Sequence, residues 1–140
     1  MSLFVRRSFF TSFIYFCQEG PVVVVVDHDN HRLAFWRLRD GTVWKHIGSQ
    51  GSAPGQFSEP CAIALTSSGA LVVTDRHRVQ VLTVEGAVWC VLDPTAVVGV
   101  GRLGENLYGV AVCPGTDEIL VTDESNHHVV ALTWNCMSEV

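Results

Sequence analysis

An aspartate recurs at a fixed interval along this 140-residue chain: Asp27, Asp75 and Asp123 lie 48 residues apart. Each closes an apolar run, and each is followed by a short polar turn and a second apolar run. The three segments read "VVVVVDHDNHRLAFW" (22–36), "ALVVTDRHRVQVL" (70–82) and "EILVTDESNHHVVAL" (118–132). The second run opens at Leu33, Val79 or Val129, and the middle copy has two fewer turn residues. A period in this range marks a supersecondary block that cannot bury its apolar face alone and must stack on its neighbours.

The likeness extends beyond the turns. Downstream, "RDGTVWKHIG" matches "VEGAVWCVLD", pairing Gly41 with Gly86 and Trp44 with Trp89. Upstream, "CAIALTSSGALVVTD" matches "YGVAVCPGTDEILVTD". "SFIYFCQEGPVVVVVD" has the same layout of apolar segment, Gly turn, apolar segment and Asp. The apolar run ending at Cys17 therefore reads as a strand rather than a targeting signal. It is also too short for a bilayer span, which needs about 20 residues.

Each unit thus holds four short segments rich in Val, Ile, Leu and Thr, bounded by Gly, Ser and Asp. In unit two they fall near 61–66, 70–74, 79–84 and 87–92. Such segments are strands joined by hairpin turns. No window sustains a 3.6-residue period, so helix content should be near nil. Four antiparallel strands repeating every 45–48 residues describe a β-propeller blade. The expected fold is all-β: a partial β-propeller of about three four-stranded antiparallel blades, the last incomplete. Residues 1–11 form an N-terminal tail, and the repeats occupy about 12–47, 60–92 and 108–135 of the region 12–140. The linker "GSQGSAPGQFSEP" (48–60) carries the chain from one blade to the next.

Composition narrows the function classes. Hydrophobic residues make up 48% of the chain, enough to build a core, and charged residues 16%. With 9 Lys and Arg against 14 Asp and Glu, the formal net charge is −5. That argues against a basic groove for nucleic acid or an anionic membrane surface. Five scattered cysteines, Cys17, Cys61, Cys90, Cys113 and Cys136, lack CxxC spacing. They read as buried reduced thiols, which favours an intracellular, cytoplasmic setting.

The stretch "GSAPGQFSEPCAIALTSSGALVVTDRHRVQVLTVEG" resembles the NHL repeat in its linked order of motifs. These are a G-x-F-x-x-P lead-in, a Gly turn, the "LVVTD" strand, an N-H-R-like turn, the "VQVL" strand and a D/E-G turn. "VVDHDNHRLAFWRLRDG" and "ILVTDESNHHVVAL" resemble its second half. Three departures stand out. Unit two lacks the turn Asn, unit three has His128 where Arg32 and Arg78 stand, and unit three has "VGVGRLGENLYG" in place of the lead-in. The resemblance implies a closed six-bladed ring, of which this chain would supply about half. An open arc exposes blade faces and strand edges, so the chain reads as a propeller fragment, a truncated gene product or half of an assembled ring, the fragment being preferred and self-association through the open faces being the alternative.

A catalytic site is normally built once, whereas a turn is built in every blade. Repetition therefore assigns Asp27, Asn30, Arg32, Asp75, Arg78, Asp123 and Asn126 to turn structure. The Asp would accept backbone N–H groups, and the Asn would tolerate left-handed backbone. The Arg would pair with an Asp of its own or the next blade. His31, His77 and His127 recur with them. His28 and Asp29 do not recur. His28 and His31 have a spacing seen in zinc sites but no companion ligands in the sequence, so they are weak metal candidates only. Trp44 and Trp89 should pack between blades, Trp36 and Trp134 should be partly exposed, and Asp117-Glu118 should be a solvated turn. No catalytic residue and no cofactor is expected. The leading reading is a non-catalytic protein-interaction module, an NHL-type scaffold with a protein partner and no membrane. The alternatives implied by the resemblance are part of a metal-dependent lyase or lactonase-like enzyme and, less favoured, an RNA-binding NHL domain.

Overall fold

The computed structural model of the chain describes residues 12–18, 20–92 and 103–133. Among these the regular structure is eleven strands and one 3-10 turn. Blade 1 comprises β1 (Ser12–Cys17), β2 (Gly20–Asp27), β3 (Arg32–Arg37) and β4 (Val43–Ile47). Blade 2 comprises β5 (Pro60–Leu65), β6 (Leu71–Asp75), β7 (Arg78–Leu82) and β8 (Val88–Leu92). Blade 3 has β9 (Leu107–Val112), β10 (Ile119–Asp123) and β11 (His128–Leu132). Every sheet is antiparallel, and its strands lie in sequence order. The chain is therefore an all-β partial propeller whose third blade has three strands among the described residues. No helix of the described residues is long and apolar enough to cross a membrane.

The sheets stack face to face, with the innermost strands β1, β5 and β9 side by side. Blade 2 explains why its strands are apolar throughout. Leu71 and Val73 of β6 and Leu82 of β7 face blade 1, in a core with Val22, Val24, Val26, Leu33, Phe35 and Phe57. The alternate residues Val72, Val79 and Val81 face blade 3, in a second core with Leu107, Ile119, Val121 and Val130. Successive strand side chains point to opposite faces, so a sheet covered on both sides needs apolar residues at nearly every position.

The linker 48–60 folds back on itself. Phe57 N–H donates to Ser49 O at 2.9 Å and Gly51 N–H to Phe57 O at 3.1 Å. This drives the Phe57 ring into the first core, fully buried. Gly48 is required beside it. Its φ is +94°, and a Cβ there would stand 2.4 Å from the ring.

Cys17, Cys61 and Cys113 are free thiols, whereas Cys90 is disulfide-bonded. The expectation of reduced thiols thus fails at Cys90, which lies on an outer strand rather than in a sealed core. Cys136 and Trp134 lie outside the described residues, as do 1–11 and most of "GVGRLG".

Candidate functional site

The recurrent aspartates anchor the turns between the second and third strands. Asp75 is fully buried. Its Oδ1 accepts the N–H groups of Ser58 at 2.7 Å and Glu59 at 3.0 Å, and its Oδ2 accepts Arg78 Nε at 2.9 Å. Arg78, also buried, sends Nη1 to Ser52 O at 2.6 Å and Nη2 to Gln56 O at 2.8 Å. Gln80 adds bonds from Nε2 to Gln56 O and from Gly55 N–H to its Oε1. One carboxylate and one guanidinium therefore clamp the lead-in loop onto blade 2. Charge-assisted, multiply bonded pairs of this kind are the strong ones.

Asp123 repeats half of that clamp. It accepts Gly104 N–H at 2.8 Å, Asn126 N–H at 3.2 Å and Asn126 Nδ2 at 2.8 Å. His128 Nε2 stands 3.6 Å away where the other blades have Arg. Burial pushes the Asp123 carboxyl up, but the Asn126 amide and the Gly104 and Asn126 N–H groups outweigh it and hold the pKa below the ordinary value. In blade 1, Asp27 accepts Asn30 Nδ2 at 2.8 Å and Arg32 Nε at 2.9 Å. Both arginines thus pair with the Asp of their own blade.

In the turns between second and third strands the left-handed residues are His31, His127 and Arg76, with φ of 53°, 54° and 50°, and not the asparagines. In the two four-residue turns an i→i+3 bond closes first, His31 N–H to His28 O and His127 N–H to Glu124 O. The residue that re-enters the strand then takes the left-handed conformation. Asn30 and Asn126 sit one place earlier, where the side-chain amide reaches back to the Asp.

Between blades the same staple recurs with one substitution. Leu107 N–H donates to Arg76 O at 2.7 Å, joining β9 to the blade 2 turn. Pro60 holds the matching register position, opposite Asp75 as Leu107 is opposite Asp123. Proline has no N–H, so that bond cannot form between blades 1 and 2. Instead the His28 ring bonds Pro60 O through Nδ1 at 3.0 Å. Because a carbonyl oxygen only accepts, Nδ1 carries the hydrogen. This accounts for a histidine at position 28 and not at the equivalent places in the other blades. Asp29 is exposed. Asp117 is more than a solvated turn residue: it accepts Ser67 N–H at 2.8 Å and Ser67 Oγ at 2.5 Å, tying blade 2 to blade 3. Those two bonds lower its pKa.

The staples place one cleft, of about 140 Å3, where the inner turns of all three blades meet. Blade 1 contributes His28, blade 2 Glu59, Cys61 and Arg76, and blade 3 with its lead-in Asn106, Leu107 and Tyr108. Arg76 Nη1 pairs with Glu59 Oε1 at 2.9 Å, both side chains nearly half exposed, and Tyr108 is 45% exposed. Burial raises the pKa of the Cys61 thiol, which donates to Glu59 O. A neutral thiol bonded to a carbonyl is a poor nucleophile. Sequence reading missed Glu59, Arg76, Asn106 and Tyr108. A signal was available: Glu59 immediately precedes the lead-in Pro, and Arg76 immediately follows the repeated Asp.

Of the two metal candidates, His28 uses Nδ1 to bond Pro60 O, and His31 has a buried Nδ1 with no hydrogen-bond partner. Among the described residues no three His, Cys, Asp or Glu side chains come together in a metal-holding group. The tryptophans also part company. Trp44 is half-buried, edge-on to Phe35 at 6.2 Å and beneath Lys45, whose Nζ donates to Val84 O of blade 2. Trp89, expected in the core, is 38% exposed. Trp36 is half-buried.

No family model matches the chain. Over 44 residues it is 43% identical to the human E3 ubiquitin-protein ligase TRIM32, a match covering 30% of this chain and 7% of that protein. In structure it is similar to the virginiamycin B lyase of Staphylococcus aureus, with a TM-score of 0.59 at 16% identity. That superposition covers 86% of this chain and 36% of the lyase. The chain therefore spans only a minor part of either protein, and the structural likeness speaks to the fold alone.

Proposed function

We propose that the chain is a non-catalytic protein-interaction module, a propeller scaffold of the NHL type that meets a protein partner through the inner-turn cleft. One observation carries this reading. Three blades converge on a single concave site lined by an exposed tyrosine, a half-exposed Arg–Glu pair, a histidine and an asparagine. Tyr and Arg are the residues most enriched at the centres of protein interfaces. The repeated aspartates, by contrast, are occupied in holding turns, which supports a structural role for Asp27, Asp75 and Asp123 together with Asn30, Arg32, Arg78 and Asn126. The net charge of −5 weighs against RNA as the partner. The lyase activity named for the structural neighbour belongs to that protein.

The test is quantitative binding of a captured partner to the wild-type chain and to Tyr108→Ala and Arg76→Ala, each checked for fold by circular dichroism. Loss of about tenfold or more in affinity for each variant is expected. A partner held equally by all three chains would overturn the assignment to this cleft.

A further inference from the structure

Four main-chain carbonyls at the inner-turn cleft are already taken up in holding the fold. Arg76 O accepts Leu107 N–H at 2.7 Å, and Asn106 O accepts Glu124 N–H at 3.0 Å. Pro60 O accepts the His28 ring at 3.0 Å, and Glu59 O accepts the Cys61 thiol. Recognition in the cleft therefore falls to side chains. Arg76 is the residue held most tightly in place. Its φ is +50°, a conformation uncommon outside glycine and asparagine, and the bond to Leu107 fixes it there. Backbone of this kind persists where the surroundings over-determine it, and it gathers at ligand sites.

Glu59 and Arg76 are the acid and the base that line the cleft, and they neutralise each other. Arg76 Nη1 and Glu59 Oε1 are 2.9 Å apart, with side chains 49% and 43% exposed. An entering cation would compete with Arg76 for Glu59, and an entering anion would compete with Glu59 for Arg76. Either leaves one charge of the pair without its partner, which is a device for rejecting a ligand. A neutral group that both donates and accepts leaves the pair intact. The guanidinium has N–H donors beyond Nη1, and the carboxylate has a second oxygen. The bond between them sets a donor and an acceptor side by side. A trans main-chain amide points its N–H and C=O in opposite directions, so it meets one of the two. A primary amide carries its C=O and an N–H on a single edge and meets both. The cleft, of about 140 Å3, has room for one side chain, and the exposed Tyr108 ring offers an apolar face to its methylenes.

We propose that the cleft receives the primary amide of a glutamine or asparagine side chain presented by the partner, its carbonyl accepting from Arg76 and its NH2 group donating to Glu59. The proposal rests on the reading of the cleft as the partner-binding surface and names what enters it.

The experiment titrates the 140-residue chain with N-acetylglutamine methylamide and with the corresponding glutamate, lysine and alanine compounds, all at millimolar concentration. Binding is followed by NMR at the Arg76 Nε–H and at the main-chain N–H groups of Glu59, Cys61 and Tyr108. The glutamine compound should move these signals and bind about tenfold more tightly than each of the other three. Glu59→Gln leaves Arg76 unpaired, so the preference should pass to the glutamate compound. Arg76→Gln leaves Glu59 unpaired and should pass it to the lysine compound. Each variant is checked by circular dichroism, and the wild-type ranking alone decides the matter if either is misfolded. A wild-type chain that binds the glutamate or lysine compound as well as the glutamine one overturns the proposal. So does equal binding of the alanine compound, which has only main-chain amides, and so does the absence of any shift at the cleft. If the compounds fail while partner affinity still falls in Tyr108→Ala and Arg76→Ala, the amide is lost and the cleft remains the interaction surface. If the glutamine compound binds while those variants keep full partner affinity, the amide site stands and the interaction reading of the cleft is lost.

Discussion

Blades 2 and 3 carry almost the same central strand, "LVVTD" and "ILVTD", and the same aspartate after it, yet they stand in different surroundings. Every residue of β6 and β7 is buried, whereas on β10 and β11 only the face toward blade 2 is closed. Strand sequence alone did not make that difference. A blade becomes core when it has neighbours on both sides, and the same residues become surface when one neighbour is removed. The aspartates differ in parallel. Asp75 is backed by a buried arginine with two further acceptors around it, and Asp123 by a half-exposed histidine.

The largest test of this contrast is removal of the two carboxylates. Asp75→Ala strands the Arg78 guanidinium, which is buried, and withdraws the acceptor from two loop N–H groups. Breaking a buried pair from one side costs about 3–5 kcal/mol, so Asp75→Ala should lower the unfolding free energy by that amount. Asp123→Ala leaves no buried cation and should cost about 1–3 kcal/mol. Denaturant titration of both variants gives the comparison. Equal losses would mean that the arginine clamp adds nothing beyond the turn itself.

The expectation of this clamp shows how far the sequence could be read. Blade number and strand order followed from the 48-residue period, because a hairpin ending in the same Asp must place the same residues opposite it, whereas the period left open whether each Arg meets the Asp of its own or of the next blade. The cleft did not follow. Its members come from residues 28, 59, 61, 76 and 106–108, and only the stacking of three blades brings them together. Nor could a one-residue pattern say which turn position is left-handed. The i→i+3 bond sets it at His31 and His127, while the asparagines that favour such backbone serve the Asp instead. His28 became intelligible only beside Pro60, whose missing N–H it replaces. Trp89 matches Trp44 in sequence, yet it is 38% exposed where Trp44 is half-buried against Phe35.

A second test uses equivalent valines. Val79→Ala removes two buried methyl groups from between blades and should cost about 2 kcal/mol. Val129→Ala, measured on dilute single chains, should stay within about 0.5 kcal/mol of wild type. A Val129→Ala loss as large as that of Val79→Ala would mean that the difference in exposure between the two faces does not set the cost.

The smallest expected effect is one of pH, and its sign follows from Asp123. Hydrogen bonds from Asn126 and Gly104 hold the folded carboxyl below its ordinary value despite burial. The folded state therefore binds this proton more weakly than the unfolded chain, whose carboxyl titrates near 3.9. Stability from the group is complete above that value and is lost as the pH falls through the lower, folded one. Asp117 is shifted in the same direction by Ser67, and Asp40 in the β3–β4 turn by Thr42, so two of these three lowered carboxylates lie at the blade 2–blade 3 junction. Hydrogen exchange over 107–132 should accelerate on acidification before exchange in β2 and β3 does. In an Asp123→Asn chain the stability deficit seen at neutral pH should narrow as the wild-type carboxylate is protonated. A deficit that stays constant from pH 7 down past the carboxylate range would mean the charge at position 123 contributes nothing, leaving packing and the neutral hydrogen bonds to hold blade 3.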